Sequence, residues 1–261
     1  MMMTAQQLAG LMPDTRELLS DEPPMESTQH YQQLALLVSH LEWHWREQAD
    51  FFIGANLTVY YTLEQLQTRK FLGPDFFLVR GVDSRPRTSW AVWNEDGRYP
   101  DLIIELLSDS TAEVDRTEKK RLYQTMFRTP EYFWFSPVTE EFAGFRLINR
   151  WYEAIPADER GRRWSEVLRL YLGVVNGQLR YFEADGTLVL GPEETALRER
   201  EYAEAERQRA EQERQRAERA ESQAEQAQSQ AEAERQGREA AEQQAERLAQ
   251  QLRELGIDPD R

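Results

Sequence analysis

The stretch that most constrains this chain is Pro100 to Ser110, PDLIIELLSDS. A short apolar run between a proline and a Ser/Asp cluster predicts a buried strand. Strand side chains alternate, so Asp101, Ile103, Glu105 and Leu107 share one face and Leu102, Ile104 and Leu106 the other. A carboxylate in the middle of such a strand is costly unless it is paired, hydrogen-bonded or bound to a metal. Glu105 therefore demands partners from elsewhere in the chain.

The surrounding segments predict a mixed α/β domain. Leu34, Leu37, Val38, Leu41 and Trp45 form one apolar stripe of a helix over about Gln29 to Gln48. On that helix His40 and His44 are four residues apart, but no HExxH pattern accompanies them, and they read as ordinary surface or boundary residues. Strands are expected at Phe51 to Ile53, Leu57 to Tyr61 and, after the Gly73-Pro74 break, Asp75 to Arg80. Asp75 shares a face with Phe77 and Val79; it is either a second site carboxylate or a turn-end aspartate accepting backbone hydrogen bonds. Arg80, Arg85, Arg87 and Arg98, with Trp90 and Trp93 among them, are either phosphate-holding forks or a solvated, charged connection.

Beyond PDLIIELLS, Asp115 and Glu118 have the spacing of a capping box for a helix that the Thr129-Pro130 pair stops near Phe127 or Arg128. Its expected inward stripe is Lys119, Leu122, Tyr123 and Met126, in which Lys119 is either a site residue or a lysine snorkelling over an apolar edge. The crossover would set EYFWFS, Glu131 to Ser136, parallel to PDLIIELLS. A hairpin at Phe142 to Ile148 and Trp151 to Ile155 follows. Trp164 to Leu172 and a hairpin of Gln178 to Phe182 with Thr187 to Leu190 read as edge additions.

Composition divides the chain into an expected loose segment at 1–27, a globular domain at 28–191 and a tail at 192–261 rich in Ala, Glu, Gln and Arg. With no cysteine, disulfides, thiolate metal sites and cysteine nucleophiles are excluded. No stretch approaches the ~20 apolar residues of a membrane helix, and the expectation is a soluble, cytoplasmic protein. A net charge of -15 argues against indiscriminate nucleic-acid binding, although many of the acids lie in the tail.

In the tail, Ala196, Ala203, Ala210, Ala217, Ala224 and Ala231 recur every seven residues, resuming at Ala245 and Leu252. Ala220, Ala227, Ala241, Leu248 and Leu255 occupy the other seam position, which Glu199, Glu206 and Glu213 hold earlier. This pattern predicts a long helix ending at Gly256, either self-associating as a coiled coil through its C-terminal third or standing alone as a charged helix.

If Asp75, Glu105 and Lys119 converge, the two acids offer the oxygen ligands that Mg²⁺ prefers, and the ammonium offers charge to a scissile phosphate. Gly73-Pro74-Asp75, PDLIIELLS, Asp115 and Lys119 followed by Tyr123, and EYFWFSP stand in an order and spacing that resemble the putative restriction endonuclease family of the PD-(D/E)xK nuclease superfamily, from about Thr28 to Phe182. The resemblance implies a restriction-endonuclease-like mixed sheet flanked by helices, with Asp75 and Glu105 as the acids and metal ligands. The superfamily lysine belongs two residues after the second acid, where this chain has Leu107, and the resemblance makes Lys119 on the next helix the candidate for its place. Asp101 and Tyr123 rank lower as site members.

The expectation is thus a Mg²⁺-dependent endonuclease acting on DNA, with Mn²⁺ as a possible substitute metal and a self-associating tail. The alternative is a catalytically silent nuclease-like scaffold that recruits partners through the tail.

Overall fold

The computed structural model describes residues 18–20, 22, 25, 27–62, 64–65 and 73–254, without the side chains at 252 and 254. Most of the expected loose segment at 1–27 and the expected helix end at Gly256 lie outside these residues. The chain divides into two compact units, Met1–Thr195 and Ala196–Arg261.

The first unit is built on a six-stranded sheet. Helix α1 (Thr28–His44) begins where the Ser27 side chain accepts from the His30 backbone N–H, and its stripe of Leu34, Leu37, Leu41 and Trp45 is buried. Strand β1 (Phe51–Ala55) pairs antiparallel with β3 (Phe76–Arg80), and β3 with β5 (Leu102–Leu106). Strand β5 pairs parallel with β6 (Glu131–Phe135), followed by β7 (Phe142–Ile148) and β8 (Trp151–Ala154) in antiparallel array. The order β1-β3-β5-β6-β7-β8 makes β5 an interior strand. Two short strands, β2 (Val59–Tyr60) and β4 (Trp90–Ala91), form a separate parallel pair, shorter than the strand expected over Leu57 to Tyr61.

The parallel β5-β6 pair requires a crossover, and helix α2 supplies it. It runs from Ala112 to Phe127 and alternates α-helical turns (Ala112–Val114, Lys120–Leu122) with wider π-helical ones (Asp115–Lys119, Tyr123–Phe127). Each face of β5 is covered. Leu102, Ile104 and Leu106 join a core with α1, while Ile103 and Leu107 join a second core with Tyr123 and Phe127 of α2.

Strands β9 (Arg163–Ser165), β10 (Leu170–Val175) and β11 (Gln178–Phe182) form their own antiparallel sheet. This corrects the expected edge additions. Leu170, Leu172, Leu179 and Tyr181 face inward and bury the α1 core, which hydrogen bonds of a sheet edge alone would leave open. Gln33 of α1 fixes the contact by donating to the Leu179 carbonyl and accepting from its N–H, each at 3.0 Å. Helix α3 (Pro192–Glu254) carries the chain into the second unit, where its side chains are exposed along nearly the whole length.

Candidate active site

The site forms where the ends of two paired strands meet the middle of one helix. Phe76 lies opposite Ile104 in the antiparallel β3-β5 register, so the next pair sets Asp75 against Glu105, at the separation where side chains of one sheet face touch. The Asp75 backbone N–H donates to Glu105 Oε2 at 3.3 Å, and Asp75 Oδ2 accepts from the Leu106 N–H at 2.7 Å. These crossed bonds hold both carboxylates at the end of the strand pair.

Helix α2 brings the cation. Lys119 Nζ lies 3.1 Å from Glu105 Oε2 and 3.0 Å from Asp115 Oδ1, and Tyr123 Oη donates to Glu105 Oε1 at 2.7 Å. A buried charge in mid-strand thus has a hydrogen bond or ion pair on each oxygen. The structure brings Asp75, Glu105, Lys119 and Tyr123 into one cluster, in which Asp75 also accepts a backbone hydrogen bond and Lys119 pairs with buried acids.

The electrostatics are those of an acid cluster short of cations. Burial pushes the Glu105 carboxyl well above the usual range; Lys119 pulls it down, and the Asp75 and Asp115 charges push it up. Burial also raises Asp75, against the opposing pull of Lys119 and the Leu106 N–H. For Lys119, burial disfavours the ammonium, but the Glu105, Asp115 and Asp75 charges outweigh it and the pKa rises. Lys119 is therefore a fixed cation and not a base.

Three carboxyl groups around one ammonium are more acid than Lys119 alone offsets when ionised, and a divalent cation would favour that ionised form. Among the described residues no group of three or more His, Asp or Glu side chains is arranged to hold a metal ion. Asp75, however, borders a cleft of about 80 Å³ that Lys119, Leu106 and Gly73 also line. Magnesium is commonly held by one or two carboxylates, with water and substrate oxygens completing its shell, so the donor set fits that ion.

Two expectations, the Asp115 cap and the inward Met126, need correction, and Asp101 and Arg87 are engaged elsewhere. Asp101 is not part of the cluster: strand rise sets it about 13 Å from Glu105, and its Oδ2 accepts from the Arg80 N–H at 2.7 Å. Of the arginines, Arg85 and Arg87 are neutralised within the fold. Arg87 is bound to Glu95 at 2.8 Å and Asp83 at 3.0 Å and lies over the rings of Phe52 and Trp90, while Arg85 joins the same two acids. Asp115 does not cap α2, which begins before it at Ala112; it is buried against Lys119 instead. Met126 is 51% exposed and Phe127 takes its place inside.

Asp115 and Glu22 are the site residues that sequence reasoning missed. Asp115 had a legible signal, because an acid four residues before a lysine on one helix pairs with it. Glu22 lines the cleft from the segment ahead of α1, with Thr58 Oγ1 donating to its Oε1 at 3.0 Å. Nothing in its local sequence marks that position. A second buried strand acid, Glu131, makes a useful contrast. Arg146, the Ser165 hydroxyl and the Glu166 N–H satisfy it, and it borders no described cleft, so its role is structural.

No curated protein matches this chain. It is similar to a crystal structure of a putative nuclease belonging to DUF820 from Anabaena variabilis, with 14% identity and a TM-score of 0.41 over 64% of this chain and 91% of that one. The model of the Uma2 family, described as putative restriction endonuclease, matches residues 17–189. That match spans the acids, α2 and the strands on either side of it, and the chain belongs to the Uma2 putative restriction endonuclease family.

Proposed function

We propose that the protein is a Mg²⁺-dependent endonuclease that hydrolyses phosphodiester bonds in DNA, with Asp75 and Glu105 as metal ligands and Lys119 as the catalytic cation. Membership of a restriction endonuclease family supports nuclease chemistry as a class. The observation that carries the finer reading is the meeting of Asp75, Glu105 and Lys119, in which Asp75 and Lys119 line the cleft and the buried Glu105 lies 3.1 Å from Lys119 Nζ.

A bound Mg²⁺, or Mn²⁺ in its place, would supply positive charge to the phosphoryl group and acidify water. Lys119 lines the cleft and stays protonated, so it stabilises the negative charge that develops on a phosphoryl oxygen as the bond to the incoming water forms. Asp115 holds that ammonium in place from the preceding turn. Tyr123 fixes the Glu105 carboxylate so that Oε2 faces Lys119 and Asp75.

The test is conversion of supercoiled plasmid to nicked or linear DNA in Mg²⁺, with RNA of the same sequence as a second substrate. Cleavage of DNA that EDTA abolishes and that Glu105→Ala lowers by about 10²-fold or more supports the assignment. DNA left intact across Mg²⁺ and Mn²⁺, or equal cleavage by Glu105→Ala, would falsify it. The tail belongs to the same proposal as a self-associating coiled coil that makes the nuclease a homo-oligomer.

A further inference from the structure

We infer that Glu22, carried by the segment ahead of α1, is the general base that takes the proton of the attacking water. This rests on the nuclease reading above and adds a residue and a role to it. The Glu22 side chain enters the cleft against the backbone of Gly73 and faces the side lined by Asp75 and Lys119. Gly73 is required for that placement: a Cβ there would stand 2.3 Å from Glu22 Oε1 and 2.4 Å from its Cδ. Gly-Pro-Asp therefore does more than end a turn, because its glycine leaves room for a carboxylate beside the aspartate.

The other candidates are committed elsewhere. Glu105 is occupied at Oε1 by Tyr123 and at Oε2 by Lys119 and the Asp75 N–H. Asp115 is buried behind Lys119, and Lys119 holds its proton. His30 lines the cleft, but its Nδ1 lies 2.8 Å from Ser27 Oγ and its Nε2 3.2 Å from the Leu107 carbonyl, so both ring nitrogens are engaged. Glu22 is an acid of the cleft that forms no direct ion pair with Lys119 among the described residues. The Thr58 hydroxyl and the Gly73 backbone N–H steady it by donating to its carboxylate. Its setting also strengthens it as a base, since burial raises its pKa while the Thr58 hydrogen bond and the Lys119 charge lower it less.

In the step assigned to it, the water oxygen forms a bond to phosphorus while the bond from phosphorus to the leaving sugar oxygen breaks. The water proton passes to the Glu22 carboxylate. The leaving oxygen takes a proton from solvent, giving a phosphate monoester and a free hydroxyl, and Glu22 then returns its proton to solvent.

The experiment compares the full-length chain with Glu22→Gln, Glu22→Ala and Gly73→Ala, reading plasmid cleavage in Mg²⁺ and, separately, Mn²⁺ affinity by electron paramagnetic resonance. Glu22→Gln should slow cleavage by about 10²- to 10⁴-fold while Mn²⁺ affinity stays within about twofold of the parent chain. Formate should restore the rate of Glu22→Ala in proportion to its concentration by filling the vacated space. Gly73→Ala should reproduce the loss by displacing the acid. Full-rate cleavage by Glu22→Gln or Gly73→Ala overturns the inference. So does a slow Glu22→Ala that formate does not restore, which makes Glu22 a positioning residue, and so does a tenfold loss of Mn²⁺ affinity in Glu22→Gln, which makes it a ligand. An inert parent chain removes the nuclease reading and this inference together, whereas an active parent with an undiminished Glu22→Gln removes this inference alone.

Discussion

Glu105 has no exposed surface, and the Tyr123 hydroxyl is the donor to its Oε1. Tyr123→Phe leaves that buried acceptor unpaired, which should cost about 1–3 kcal/mol of unfolding free energy in urea titration. A variant as stable as the parent chain would mean that water replaces the hydroxyl. Asp75 gives a pH signature. Its carboxyl pKa is raised by burial, so it binds its proton more tightly folded than unfolded. The corresponding stabilisation is complete below the ordinary carboxylate range and is lost as pH rises through the raised one. In EDTA, Asp75→Asn should therefore raise the melting temperature at pH 8, by about 2–4 °C for each kcal/mol of repulsion relieved, with the gain shrinking toward pH 5. A gain of equal size at both values would refute the linkage.

At the scale of elements, α2 explains why the inward stripe differs from the one expected. An α-helix brings residues 3.6 apart onto one face, which selects Lys119, Leu122, Tyr123 and Met126. The two π-helical turns widen the repeat, so Asp115, Lys119, Tyr123 and Phe127, each four residues on, line up along one face. From this one face Lys119 and Tyr123 reach Glu105, and Asp115 pairs with Lys119. Phe127→Ala should cost about 3–5 kcal/mol, whereas Met126→Ala should stay within about 0.5 kcal/mol; thermal unfolding of the pair decides between the stripes. The strands were read more reliably. Alternation in PDLIIELLS placed Leu102, Ile104 and Leu106 against one core and Ile103 and Leu107 against the other, as the structure has them.

For the whole molecule, the first unit closes on Thr195. Glu194 bonds Arg180 at 2.7 Å and Thr195 Oγ1 accepts from Trp43 Nε1 at 3.2 Å, so a chain cut after Gly191 loses contacts that one cut after Thr195 keeps. The shorter chain should lose about 1–3 kcal/mol of stability, because Arg180 is left buried without its carboxylate. The chain cut after Thr195 should melt as the intact protein does but sediment with fewer subunits per particle, since the proposed self-association resides in the tail. The same number of subunits per particle for both chains would remove the tail from assembly.

Local chemistry alone determined much of this protein. The apolar runs and their breaks specified the strands, the parallel crossover and the long exposed helix, because strand alternation and helix periodicity depend only on neighbours in sequence. The same reading identified Asp75, Glu105 and Lys119 as residues that would gain meaning only by meeting. Whether they met was decided by the β3-β5 register, which sets Asp75 opposite Glu105, and by the packing of α2, which brings Lys119 to Glu105. Glu22 and the inward-facing β9-β11 sheet were beyond sequence reading for the same reason. Their neighbours lie far along the chain, and only packing selects which distant surfaces come together.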